Sequence, residues 1–214
     1  MQVDMWADVV CSWCGIANRR VKQAIAAFEH ADQVTLVHHS FRLLDSAEEG
    51  TSLSFGEYFA TLGMTQAQMR QAAGQVERVA ASDGIDEYHV SDNTIGNTTL
   101  AHEFLAFASE HGDHNAAWDL MLESHFAVRA PLWSIADLTA FAAPLGLDPV
   151  AARTALEART YRDRVVAEHQ QLVSFGANGV PFLVIDNKYA VAGAQPVSVI
   201  TAALERAWNE GVQA

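Results

Sequence analysis

The only two cysteines of the chain stand three positions apart, as Cys11-Ser12-Trp13-Cys14, and no other feature restricts its fold and chemistry as strongly. Two thiols so close cannot knit a disulfide framework through a fold, so their chemistry is local. Upstream, Val3, Met5 and Ala7 alternate with Asp4, Trp6 and Asp8, the period-two pattern of a strand that ends near Asp8. Downstream, Ile16, Ala17, Val21, Ala24, Ile25 and Phe28 recur at helical spacing as far as Glu29. The pair therefore sits where a strand feeds a helix. Unpaired N–H groups and the partial positive charge of a helix N-terminus favour a thiolate on Cys11.

Val34 to Phe41 reads as a second strand, completing a strand–helix–strand unit. Residues 43–159 carry no convincing strand and read as an all-helical insertion. Its helix starts are marked by Ser54 with Glu57, Thr65 with Gln68, Asn97 or Thr98, Ser134 with Asp137, and Asp148-Pro149. Gly84 to Gly96 reads as an irregular loop. From Thr160 the pattern gives a helix with Val165, Val166, His169, Leu172 and Val173 inward, then strands flanking Asp186-Asn187 as a hairpin turn, then an amphipathic helix through Val199, Ile200, Ala203, Leu204 and Trp208. The expected division is residues 1–42 with 160–214 in one α/β domain and 43–159 in a helical one.

Charge narrows the partners. Lys plus Arg number 13 against 26 Asp plus Glu, a formal net charge of −13, which argues against nucleic acid or an anionic membrane as partner. No apolar stretch is long enough to span a bilayer. Met1-Gln2-Val3-Asp4-Met5-Trp6 lacks the basic and apolar regions of a signal peptide, so a cytoplasmic location is expected, where thiols are kept reduced.

In a dithiol site at a helix mouth, Cys11 is the accessible nucleophile and Cys14, inside the first turn, resolves the mixed disulfide. Ser12 and Trp13 tune the thiolate: a Ser12 hydroxyl can donate to it, whereas Trp13 lacks the charge of a histidine, so Cys11 is expected to be acidified only moderately. Two alternatives stand beside this. The cysteines could be half of a zinc site completed by histidines, although His38-His39 and His111 with His114 lack the context of a zinc finger or ribbon. They could also be two buried structural thiols. No metal ligand set is assigned, and His111 and His114 read as solvated turn residues. The second signal is Val180-Pro181 at the start of a strand, a place suited to a proline whose missing N–H is not needed.

Taken together, Asp8-Val9-Val10-Cys11-Ser12-Trp13-Cys14, Phe41-Arg42-Leu43, Asn97-Thr98 with Ala101-His102, Gly179-Val180-Pro181-Phe182 and Lys188 to Pro196 resemble the DsbA-like thioredoxin-fold dithiol–disulfide oxidoreductases, nearest their cytosolic FrnE-like branch. The resemblance spans nearly the whole chain. It implies an α/β thioredoxin fold (βαβ…αββα) interrupted by a large all-helical insertion, a cis Pro181 facing the cysteines, and substrate paired in extended form with the backbone of Val180. The implied activity is thiol–disulfide exchange or isomerisation through Cys11 and Cys14 on thiol- or disulfide-containing proteins or small molecules. The implied cofactor is none beyond the Cys11–Cys14 disulfide itself, with glutathione as a possible co-substrate, and the protein a monomer or homodimer. The alternative on the same fold is a glutathione-dependent isomerase or transferase of the kappa or hydroxychromene-carboxylate isomerase type; a zinc-binding, non-enzymatic module is a third reading. Two departures from the family stand out: Ser12 where many relatives have proline, and Met5 where thioredoxins and DsbA keep a buried acid six residues before the first cysteine. Asp4 and Asp8 are off that register, which leaves proton transfer from Cys14 to water or another acid. His102 matches the family motif and reads as a structural histidine.

Overall fold

A computed structural model describes residues 1–212. In chain order the elements are β1 (Gln2–Ala7), α1 (Ser12–Ala26), β2 (Thr35–Ser40), β3 (Ser52–Ser54), α2 (Phe55–Thr61), α3 (Gln66–Ser82), β4 (Thr94–Gly96), α4 (Thr99–His111), α5 (His114–Ala127), α6 (Ile135–Thr139), α7 (Pro149–Glu157), α8 (Arg162–Ser174), β5 (Phe182–Ile185), β6 (Tyr189–Ala192) and α9 (Val197–Val212). The main sheet has the order β2-β1-β5-β6. β1 pairs in parallel with β2 and antiparallel with β5, and β5 antiparallel with β6, the sheet of a thioredoxin fold. α2 to α7, with β3 and β4, lie between β2 and α8, in the stretch read from the sequence as the insertion. No helix among the described residues is long and apolar enough to cross a membrane.

β1 departs from simple alternation. Val3, Met5 and Ala7 are buried as expected, but Asp4 and Trp6 are buried too, because α8 covers the other face of the sheet. Trp6 donates its Nε1–H to the Glu168 carbonyl at 2.9 Å and stacks on His39 at 4.5 Å. Asp4 in turn bonds His39 Nε2 at 2.7 Å. On α8, Val165 and Leu172 point inward, whereas Val173 is exposed.

The helix-start signals correspond to helices. Ser54, Thr65 and Ser134 each form a reciprocal capping box, and Asp148 accepts from the Val150 N–H ahead of a proline-opened helix. Asp186 and Asn187 both adopt positive φ, as a two-residue hairpin turn of matching twist requires. The insertion is not wholly helical. β3 and β4 form a short antiparallel ladder, with Leu53 opposite Ile95. Three-residue strands are too short for a period-two pattern to register, and β4 lies inside the stretch read as irregular.

His39 and Glu168 make the stability of this face depend on pH. Burial pushes His39 down, but hydrogen bonding and charge from Glu168 and Asp4 outweigh it and hold the imidazole above its ordinary range. Burial pushes Glu168 up, yet His39, the Ser40 amide and Arg164 bring it down to about 2. The histidine, raised on folding, contributes stability that is complete below its unfolded value and disappears as pH climbs through the folded one. The carboxylate, depressed on folding, contributes stability that is complete above its ordinary range and disappears as pH falls toward about 2. Urea unfolding across pH therefore shows losses on both the acid and the near-neutral-to-alkaline side, and Glu168→Gln flattens both. Parallel curves for the variant and the wild type would refute this.

Candidate active site

Cys11 is the N-cap of α1, in extended conformation, with no acidic side chain in the first helical turn to oppose a thiolate. Its N–H donates to the Asp8 carbonyl at 3.1 Å and its carbonyl accepts the Cys14 N–H at 2.8 Å, so a tight turn delivers the sulfur to the helix mouth. Cys11 retains slight exposure, whereas Cys14 is fully buried, and both are free thiols. Burial pushes the Cys14 thiol well up, and the hydrogen bond and charge of Cys11 add to it. The two sulfurs are unequal in access and environment, as attack and resolution require.

From 169 positions away, the Val180 carbonyl accepts the Cys11 S–H at 3.5 Å. The Val180-Pro181 peptide bond is cis. Ser12 and Trp13 are partly exposed and border, with Cys11, a cleft of about 360 Å³. Its walls include Val10, Leu43, Phe55, Phe59, Val76 and Ile95, and no charged side chain lines it. Of the six positions singled out from the sequence, Cys11, Ser12 and Trp13 border this cleft and the Val180 carbonyl reaches Cys11, while Cys14 and Pro181 are buried.

Other quoted motifs converge there through hydrogen bonds. The Leu43 N–H donates to Asp8 Oδ2 at 2.7 Å, the Arg42 N–H to His169 Nδ1 at 3.2 Å, and the Phe41 N–H to the Ala7 carbonyl at 3.0 Å. Asn97 ties down the preceding loop by donating to the Ala47 carbonyl at 2.7 Å. Its Oδ1 accepts the Thr99 N–H, which starts α4 and sets the position of His102. His102 and Asp8 are both 0% exposed, and His102 Nε2 lies 3.3 Å from Asp8 Oδ1. The histidine is not fully satisfied, because its buried Nδ1 has no partner. His114 is likewise not a solvated turn residue. It opens α5, accepts the His38 N–H at 2.8 Å and bonds Ser109 at 2.6 Å. Only His111, at the end of α4, is exposed.

Sequence reasoning missed Tyr88, in the loop read as irregular. Its hydroxyl donates to the Ser12 carbonyl and holds the cysteine turn. A Cβ on Gly15 would collide with the Tyr88 hydroxyl, so the residue after Cys14 must be glycine for the tyrosine to reach. The glycine inside an amphipathic helix was the available signal. Gly15→Ala is expected to displace Tyr88 and cost about 1–3 kcal/mol, as overpacking does. Tyr88→Phe in the Gly15→Ala background should recover part of that loss; thermal unfolding of the two variants and their double measures it, and strict additivity would refute the contact.

The DsbA-like thioredoxin domain model matches residues 2–205. A probable DsbA oxidoreductase from Streptomyces coelicolor is 36% identical, with a TM-score of 0.91 over 98% of this chain and 91% of that one. A 2-hydroxychromene-2-carboxylate isomerase shares the fold at 14% identity and a TM-score of 0.72, covering 100% of this chain and 98% of its own. So does the cytosolic disulfide reductase DsbM from Pseudomonas aeruginosa, solved with GSH, at 15% identity and a TM-score of 0.64, covering 98% of this chain and 100% of its own. No curated protein matches the chain. A thioredoxin sheet, a C-x-x-C at the first helix mouth and a 36% identical DsbA relative over nearly the whole length place the chain in one family: it belongs to the DsbA-like thioredoxin-domain oxidoreductases.

Proposed function

We propose that this protein is a thiol–disulfide oxidoreductase or isomerase whose chemistry runs through Cys11 and Cys14. The observation that carries the reading is the pairing of a marginally exposed Cys11 with a buried Cys14, opposite the Val180 carbonyl. Cys11 attacks a substrate disulfide as thiolate; one substrate sulfur leaves and a mixed disulfide forms. Cys14 then attacks Cys11, the second substrate sulfur leaves, and the pair ends as a disulfide while the substrate is reduced by two electrons. The reverse sequence oxidises a dithiol. The chain's own dithiol carries the electrons, so the scheme needs no further cofactor, and a cytoplasmic setting belongs to the same proposal.

The cleft beside Cys11 supports a substrate with an apolar side chain next to its sulfur. Leu43 at the rim is 40% exposed, and burying a group such as leucine or phenylalanine contributes about 1.5–3 kcal/mol. The glutathione-dependent alternative asks for cations to pair with two carboxylates, and the lining of this cleft carries none. Glutathione fits the scheme as a small thiol co-substrate at Cys11 rather than as a ligand of the cleft. The test is catalysis of insulin reduction and of scrambled-disulfide repair by the purified protein. Activity that survives Cys11→Ala overturns the assignment.

A further inference from the structure

A thiolate on Cys11 must be held by main-chain donors, because no charged side chain lines the cleft beside it. Cys11 is the N-cap of α1, and an N-cap side chain takes the N–H of the second or third helical residue, here Trp13 or Cys14. The Cys14 N–H is already engaged by the Cys11 carbonyl at 2.8 Å, which leaves Trp13. In the thiol form the sulfur makes no capping bond, and its S–H points to the Val180 carbonyl 3.5 Å away. Ionisation removes that donor and turns the sulfur into an acceptor, so the new charge falls to the Trp13 N–H.

That N–H is one end of a peptide unit whose other end is bound from outside the helix. The Ser12 carbonyl accepts the Tyr88 hydroxyl. Tyr88 is 8% exposed, its ring stacks on Phe126 at 4.6 Å, and Gly15 leaves open the space its hydroxyl occupies. Burial, with the charge of Cys11 and Cys14 added to it, pushes the phenol well up, so the hydroxyl stays protonated and donates. Any nearby carbonyl would satisfy a buried tyrosine. The one it takes is conjugated to the donor left for Cys11. Resonance couples the two ends of a peptide unit, so a hydrogen bond at the oxygen draws density from the nitrogen and makes its N–H a better donor. Such a chain of bonds gains about 10–30% per link.

We infer that Tyr88 is a positioning residue for the nucleophile: through the Ser12–Trp13 peptide it strengthens the N–H that holds the Cys11 thiolate. The inference rests on the dithiol reading given above. The tyrosine acts through the backbone and neither gains nor loses a proton in the exchange. It stabilises Cys11 as the attacking thiolate when substrate is reduced and as the leaving thiolate when substrate is oxidised. The other titratable groups around the sulfur are Cys14 of α1, Asp8 of the turn before it and Tyr58 of α2, and none of these is a cation that would do the same work.

A better-held thiolate is more abundant at acid pH and a weaker nucleophile at alkaline pH, because nucleophilicity follows basicity with a slope of about 0.4–0.5. Losing the Tyr88 hydroxyl therefore acts in opposite directions on the two limbs of the rate profile. Reduced protein mixed with dithiodipyridine in a stopped-flow instrument releases its first thiopyridone when Cys11 attacks. Tyr88→Phe, which keeps its ring on Phe126, is expected to slow that release about twofold on the acid limb and to speed it about 1.5-fold on the alkaline plateau, each against wild type at the same pH. A merely loosened turn would slow it at every pH. Fluorotyrosine at position 88, with the fluorine beside the hydroxyl, is a stronger donor and moves both ratios the other way. Gly15→Ala, which displaces the hydroxyl, gives the same ratios as Tyr88→Phe, and the double variant adds nothing further. Ratios of one sign at all pH values, or ratios within about 1.2-fold of unity on both limbs, overturn the inference. Should Tyr88→Phe fail to fold, fluorotyrosine ratios that stay at unity overturn it. Release that persists in Cys11→Ala would instead overturn the dithiol reading.

Discussion

Cys14→Ser is expected to convert the protein into a trap: its reaction with a disulfide substrate stops at a covalent adduct through Cys11, stable on a non-reducing gel and released by dithiothreitol. Cys11→Ser gives no adduct and abolishes exchange. The contrast follows from access, since Cys11 stands at the helix mouth within 3.5 Å of the Val180 carbonyl while Cys14 is sealed beneath it. The trap also reads out preference. Peptide disulfides with an aromatic or aliphatic residue beside the cysteine should be captured faster than acidic ones, because the cleft of about 360 Å³ is apolar and the chain carries a net charge of −13. Ala72→Trp, placed on an exposed wall position of the cleft, should remove that preference while adduct formation with a small disulfide continues. Adducts forming equally through either cysteine would refute the division of roles.

The largest effect on stability is expected at Arg159. Its guanidinium clasps Glu103, with Nη2 to Oε1 at 2.7 Å and Nε to Oε1 at 3.0 Å, and reaches Glu49 with Nη1 at 2.6 Å. Glu103 is 0% exposed, so Arg159→Ala leaves a buried carboxylate without its cation. Stranding one member of a buried pair costs about 3–5 kcal/mol, which for a chain of this size lowers Tm by roughly 6–20 °C. Arg159 also adopts φ of +54°, a conformation that only glycine holds without strain. Arg159→Gly should therefore lose less than Arg159→Ala, by about 1 kcal/mol. Calorimetry of the two variants checks both the size and the order. A loss under about 1 kcal/mol in Arg159→Ala would show that the clasp contributes little.

The thioredoxin sheet was legible because its signals are local and strong. A strand, a cysteine-led helix and a second strand follow one another within 41 residues, and the Asp186-Asn187 turn declares its hairpin. The capping boxes at Ser54, Thr65 and Ser134 were legible for the same reason, since both partners lie within one turn. What stayed hidden depends on contacts between distant segments. The β3–β4 ladder joins residues about 40 apart through strands too short for periodicity. Asp8 shows in sequence only as an acid near the cysteines; its bonds to the Leu43 N–H and toward His102 join it to segments 35 and 94 positions away. His114 looked solvated because glycine and aspartate precede it; its bond to the His38 N–H exists only once α5 packs on β2. Tyr88 shows in sequence only through its shadow, Gly15.

The central strand has a consequence for synthesis. β1 is synthesised well before its antiparallel partner, which begins only at Phe182, and the Val180 carbonyl beside Cys11 comes just before that strand. At typical translation speeds the interval is about 9–35 s. Throughout it the nascent chain carries both thiols without the segment that contacts Cys11, so the pair is open to any passing oxidant before the fold is complete.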